Sequence, residues 1–122
     1  MTISGDFPHI TNRRITSNGI ELNIAEQGDA DAPLIVMLHG FPESWFSWRH
    51  QCAPLAAAGY HVVAPDMRGY GESDKTSDIS AYNQVEVVND VKGLVAALGY
   101  ETAIVIGHDW GGPTAWSCAL WH

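Results

Sequence analysis

TAIVIGHDWGG, residues 102 to 112, decides the fold. Its first six residues form a continuous apolar run closed by Gly107, the pattern of a β-strand buried on both faces. The rest, Gly107-His108-Asp109-Trp110-Gly111-Gly112, has the small-x-nucleophile-x-small spacing of a sharp strand-to-helix turn. Such a turn packs backbone against backbone, so Gly107 and Gly111 leave the room it needs, and Gly112 lets the following helix approach the strand. The centre holds Asp109 rather than serine or cysteine. At a helix N-terminus the dipole and free N–H groups favour an ionised carboxylate. Two readings stand: Asp109 is a nucleophile, or it caps the helix over 111 to 121.

Working back from that turn, two more apolar runs come into view. PLIVMLHG (33–40) ends in glycine and reads as a second buried strand, and YHVVAPD (60–66) as a third. Between and after them lie helical patterns. SWFSWRHQCAPLAAAG (44–59) has Ser44 as N-cap and Gly59 as stop, with Pro54 expected to kink it or split it in two. NQVEVVNDVKGLVAALG (83–99) repeats Val88, Val91, Val95 and Leu98 at helical spacing and ends at Gly99. RRITSNGIELNIAEQG (13–28) reads as a hairpin around Asn18-Gly19, with Ile20, Leu22 and Ile24 alternating as in a half-buried strand. Strands alternating with helices imply an α/β fold with a mainly parallel sheet, fronted by an antiparallel hairpin. In such sheets chemistry collects at the carboxyl ends of the strands: HGFP, PDMRGYG and GHDWGG.

HGFP (39–42) bears on the choice for Asp109. Chemistry at a carboxyl-derived centre needs two N–H donors aimed at the developing oxyanion. Trp110, the residue after the nucleophile, supplies one, and the Phe41 N–H in the loop after an earlier strand is the candidate for the other. Gly40 permits the tight turn and Pro42 fixes the chain beyond it. His39 is read as a structural hydrogen-bonding group that holds the loop. Trp110 as plain hydrophobic packing is the competing reading of its side chain.

HGFPESWFSWR, DMRGYGESD and GHDWGG together resemble the epoxide hydrolase branch of the α/β-hydrolase fold, to which the haloalkane dehalogenases are related. The resemblance runs from about residue 13 to the end of the chain. It implies Asp109 as nucleophile, the Phe41 and Trp110 amides as oxyanion hole, and both side chains beside an epoxide substrate. A carboxylate, ionised at neutral pH, opens a strained epoxide without a base, and the aspartyl ester it forms can be hydrolysed. A serine ether could not. Haloalkane dehalogenases typically carry Asn where Phe41 stands, and fluoroacetate-type dehalogenases Arg where Trp110 stands. Both departures favour an epoxide.

The resemblance also implies a histidine base, its acidic partner and lid tyrosines, all later in chain order. This chain continues thirteen residues past Asp109. His122 would lie roughly 15 Å along the helix from Gly111, too far to serve as that base. Residues 1–122 are therefore expected to be the N-terminal portion of a single α/β-hydrolase domain, completed by a C-terminal complement. Without it the strand at 102–107 should be an exposed apolar edge. A non-catalytic α/β-hydrolase fragment binding a small apolar ligand is the alternative class.

Bulk properties narrow the rest. A net charge of −8 argues against nucleic-acid binding and fits simple solubility, and 46% hydrophobic with 16% charged residues suits a globular core. The N-terminus lacks a basic region and a long apolar run, and LIVML (34–38) is too short to span a bilayer. Cys52 and Cys118 read as buried, reduced thiols, which implies a cytoplasmic protein. RGYGES lacks the Lys-Ser/Thr of a phosphate loop and reads as a strand-end turn. His50, His61, His108 and His122 show no metal-ligand spacing, and neither metal nor cofactor is expected. Trp45, Phe46 and Trp48 are expected to pack helix on sheet.

Overall fold

β4 (Leu34–Leu38) runs through the interior of the sheet, and all five of its residues are buried. The parity of a strand sorts them: Leu34, Val36 and Leu38 face one apolar cluster, while Ile35 and Met37 face a second on the opposite side. Burial on both faces is why the run is continuous rather than alternating. β5 (His61–Pro65) repeats this, with Val63 on the first face and Val62 and Ala64 on the second. Each large aliphatic side chain buried in this way stabilises the fold by about 1.5–3 kcal/mol.

The computed structural model describes residues 2–4, 7–41, 43–75 and 84–121. The remaining elements are β1 (Thr2–Ser4), β2 (Phe7–Ser17), β3 (Ile20–Gln27), a 3₁₀ turn (Trp45–Trp48), α1 (Arg49–Ala57), α2 (Gln84–Ala97), β6 (Ile104–Gly107) and α3 (Gly111–Trp121). Among the described residues six strands lie in the order β1-β2-β3-β5-β4-β6. β4 pairs in parallel with β5 and β6, as the alternation of strands and helices implies. The antiparallel share is larger than a hairpin alone, because β1 adds to β2 and β3 pairs antiparallel with β5. α2 and α3 cover the first face, and α1 with the 3₁₀ turn covers the second. Among the described residues no helix is long and apolar enough to cross a membrane.

The hairpin turn is as expected: Asn18 and Gly19 both have positive φ, 51° and 79°, the conformation of a two-residue turn that matches strand twist. β2 begins earlier than the pattern suggests, at Phe7, where the sequence is too mixed to read as a strand.

Four expectations need correction. The alternation in β3 breaks at Asn23, which is buried along with Leu22, Ile24 and Ala25. Asn23 Nδ2 donates to Asp66 Oδ2 at 2.9 Å, so a buried carboxylate on the next strand's end compensates the polar side chain. The helix over 44–59 is split, but at Trp48/Arg49 rather than at Pro54, which lies within α1. Ser44 caps the 3₁₀ turn, accepting from Phe46 N–H at 3.4 Å. β6, read as buried on both faces, has Ile104 49% exposed, while its place at the sheet edge is as expected. Trp45 and Trp48 do pack helix on sheet, whereas Phe46 is exposed and stacks edge-on with Phe7 beneath the Arg49 guanidinium. Pro42, the 76–83 part of the loop and helix start, and His122 lie outside the described residues.

Candidate active site

The turn between β6 and α3 is built by steric exclusion. A Cβ on Gly107 would strike the Gly111 carbonyl, and one on Gly111 would strike the carbonyl of Leu38 in β4. Neither position accepts any other residue without moving backbone. Gly111 N–H donates to His108 O at 2.9 Å and Gly112 N–H to Asp109 O at 3.0 Å, closing the turn. Gly112 does not act as expected: a Cβ there would meet nothing within 4 Å. Gly107 and Gly111 carry the close approach of helix to strand.

Asp109 sits at the apex with φ of 55°, a left-handed conformation uncommon for a non-glycine residue. Such strain costs on the order of 1–3 kcal/mol and persists where the surroundings impose it, typically at functional sites. His108 N–H donates to Leu38 O at 3.1 Å, tying the turn to the end of β4. Pro113 falls in the first turn of α3, where a missing N–H costs nothing.

The HGFP loop meets this apex directly. Phe41 N–H donates to Asp109 Oδ2 at 3.1 Å. The carboxylate is thus engaged by the opposite loop. Gly40 makes the approach possible, because a Cβ there would stand 2.8 Å from Asp109 Oδ2.

His39 is buried. Met67 N–H donates to His39 Nε2 at 2.9 Å, so Nε2 is an acceptor and the proton lies on Nδ1, which donates to Gly40 O at 2.8 Å. Both ring nitrogens are thereby committed to loop geometry. Phe41 and Trp110 are 61% and 67% exposed, so Trp110 is not a core packing residue.

Several supporting residues escape a reading of the sequence alone. Glu43 Oε1 accepts from Gly40 N–H at 3.2 Å and lies 3.5 Å from His108 Nδ1, bridging the two loops. The Ser47 hydroxyl, with Gly40 N–H and His108, holds the Glu43 carboxyl below its ordinary value against desolvation. Asp66, at the end of β5, accepts from Trp45 N–H at 2.8 Å and Glu72 N–H at 2.9 Å as well as from Asn23. Arg68 makes a buried, two-pronged ion pair with Asp90 of α2, both contacts at 2.8 Å. The local signals were present in Glu43 beside HGFP, with Ser47 four residues on, and in the PDMRG turn. Their partners are distant in sequence.

Among the described residues no group of three or more His, Cys, Asp or Glu could hold a metal ion. Cys52 and Cys118 are free, and burial pushes the Cys52 thiol up to about 11.

Comparison with known proteins follows the same lines. Residues 33–122 match the family described as alpha/beta hydrolase fold. The AB hydrolase superfamily protein YfhM of Bacillus subtilis is 51% identical over 105 residues, 86% of this chain and 37% of its own length. Epoxide hydrolase A of Mycobacterium tuberculosis is 46% identical over 112 residues, 92% of this chain and 35% of its own. The crystal structure of epoxide hydrolase VrEH1 from Vigna radiata superposes with a TM-score of 0.92 at 39% identity, covering 98% of this chain and 37% of that one. The chain thus spans about a third of the length of these relatives. With a matching family over 90 residues, 33 to 122, and a strained Asp109 set between two tightly packed glycines, the chain belongs to the alpha/beta hydrolase fold family.

Proposed function

We propose that the chain carries the nucleophile half of an epoxide hydrolase, with Asp109 as nucleophile and the Phe41 and Trp110 amides as oxyanion hole. The observation that carries this reading is the 3.1 Å hydrogen bond from Phe41 N–H to Asp109 Oδ2. With Oδ2 engaged, Oδ1 attacks an epoxide carbon, the ring C–O bond breaks, and its electron pair goes to the departing oxygen, which takes up a proton. Asp109 is left as an ester whose carbonyl oxygen is Oδ2. Water then adds to Cγ, negative charge develops on Oδ2, and the Phe41 amide already stands there. One donor orients the carboxylate in the first step and stabilises the oxyanion in the second.

The proton donor to the departing oxygen and the base that activates water are assigned to a C-terminal complement of the same protein. The exposed edge of β6 and an apolar groove of about 660 Å³ beside α2 and α3 are where such a complement would pack. The similarity to epoxide hydrolases of Mycobacterium tuberculosis and Vigna radiata supports an epoxide as substrate class. Phe41 supports it over an alkyl halide, since its side chain offers no hydrogen-bond donor to a leaving halide. The free thiols support a reducing, cytoplasmic location.

Intact-mass spectrometry of the complete native polypeptide, mixed with styrene oxide and quenched within a turnover, tests the reading. A mass gain of one epoxide on Asp109, absent in Asp109→Asn, is the expected result. No adduct and no diol under any condition would favour the non-catalytic alternative.

A further inference from the structure

The reaction above draws on HGFP and GHDWGG and leaves the remaining strand end, PDMRGYG (65–71), without a part. That segment nevertheless fixes the loop that carries the Phe41 amide, on both sides of it. Before Phe41, His39 Nε2 accepts from Met67 N–H at 2.9 Å. After it, Trp45 N–H donates to Asp66 Oδ1 at 2.8 Å. Between these anchors Glu43 N–H closes a turn on Gly40 O at 2.9 Å. The Tyr70 ring stands edge-on to His39 and Phe41, with centroids 5.1 and 6.3 Å away.

Asp66 is itself held still. It is 1% exposed, and its Oδ2 accepts from Asn23 Nδ2 and Glu72 N–H, both at 2.9 Å. Gly71, with φ of 50°, lets the chain curl over this carboxylate, since a Cβ there would strike it. The carboxylate thereby joins β3, the loop after β5 and the 3₁₀ turn. Charge-assisted hydrogen bonds of this kind are roughly twice as strong as neutral ones. Trp45 is the first residue of the 3₁₀ turn, so its bond to Asp66 fixes where the HGFP loop ends. Strand pairing brings the loops side by side, and the anchors at His39 and Trp45 set the direction of the amide between them.

We propose that Asp66 is a positioning residue for hydrolysis of the ester: through Trp45 N–H it holds the Phe41 amide against Asp109 Oδ2. The proposal rests on the epoxide-hydrolase reading above and is specific to its second step. There water adds to Cγ, an electron pair moves onto Oδ2, and as the pair returns the Cγ–Oδ1 bond breaks. The diol departs with one of the water protons, and Asp109 is restored as a carboxylate, releasing the other. Oδ2 is neutral in the ester and gains charge only in this transition state, so a misaimed amide costs most here. In the first step the carboxylate gives up charge, and a weaker amide bond does not slow it on that account.

Rapid-quench intact-mass spectrometry of the complete native polypeptide with styrene oxide follows the ester on Asp109 as it forms and decays. Asp66→Asn sets an NH₂ donor against one of the three N–H donors around Asp66. Outright removal of an oxyanion donor costs roughly 10²–10³-fold, so this variant should slow decay at least about tenfold, with formation changed less than about threefold. The ester then accumulates, and kcat and KM fall together. If Asp66→Asn does not fold, replacing Trp45 by its α-hydroxy acid deletes only the N–H of the same bond, and the same split between formation and decay is expected. Decay at the wild-type rate, or formation and decay slowed by the same factor, overturns the proposal while the epoxide reading stands. If wild type forms neither ester nor diol, that reading fails and the proposal with it.

Discussion

The Phe41 amide nitrogen lies 3.1 Å from Asp109 Oδ2, joining two loops whose residues are 68 positions apart in sequence. Strand pairing explains the meeting. β4 and β6 are parallel neighbours, with Leu38 in register with Gly107, so the loops that follow them emerge side by side. The meeting of Asp109 with the Phe41 amide is set by the sheet, not by either loop alone.

Asp109→Asn should abolish adduct formation and lower diol production by on the order of 10³-fold or more. Asparagine tolerates the left-handed conformation well, so stability should stay within about 0.5 kcal/mol. Urea denaturation alongside the activity assay checks both. A large stability loss would show that the carboxylate is needed structurally.

The three glycines of the turn should separate. Gly107→Ala and Gly111→Ala drive a methyl into neighbouring carbonyls and should each cost about 2–4 kcal/mol. Gly112→Ala meets open space in the first turn of α3 and should be neutral or stabilising by up to about 1 kcal/mol. Equal losses at all three positions would contradict the packing described.

Arg68 and Asp90, 6% and 3% exposed, bind α2 to the loop after β5. Arg68→Ala or Asp90→Ala alone strands a buried charge and should cost about 3–5 kcal/mol, while the double substitution should cost less than the sum. A double-mutant cycle by chemical denaturation measures this. Strict additivity would argue that the pair is not coupled.

Glu26, in β3, gives the protein an acid-sensitive term. Burial pushes its carboxyl up, but hydrogen bonds and charge from His61 and Arg13 outweigh that and leave it below its ordinary value of 4.5. A lowered folded value means the stabilisation is fully present above pH 4.5 and is lost as pH falls below it through the folded value. Glu26→Gln should therefore flatten the fall in stability on that acid side, measured as ΔG of unfolding against pH. An unchanged acid limb would remove Glu26 from the account.

Much of the fold can be read locally. Hydrophobic periodicity reports how many faces an element buries, so β4 and β5 are recognisable as strands covered on both sides. Asn18-Gly19 marks the turn because few residue pairs tolerate two positive φ angles. The spacing of Gly107, Asp109 and Gly111 marks the elbow because its sterics involve residues close in the chain.

Tertiary structure decided what those local patterns leave equal. β6 is an apolar run like β4 yet leaves Ile104 exposed, because burial of a strand's faces depends on what packs against them. Asn23 reads as a surface residue and is buried, because its partner Asp66 lies 43 positions away. Gly112 resembles its neighbour in sequence but not in surroundings. The aim of the Phe41 amide at Asp109 is of the same kind: the chain carries both groups, and their meeting follows from the parallel pairing of β4 with β6.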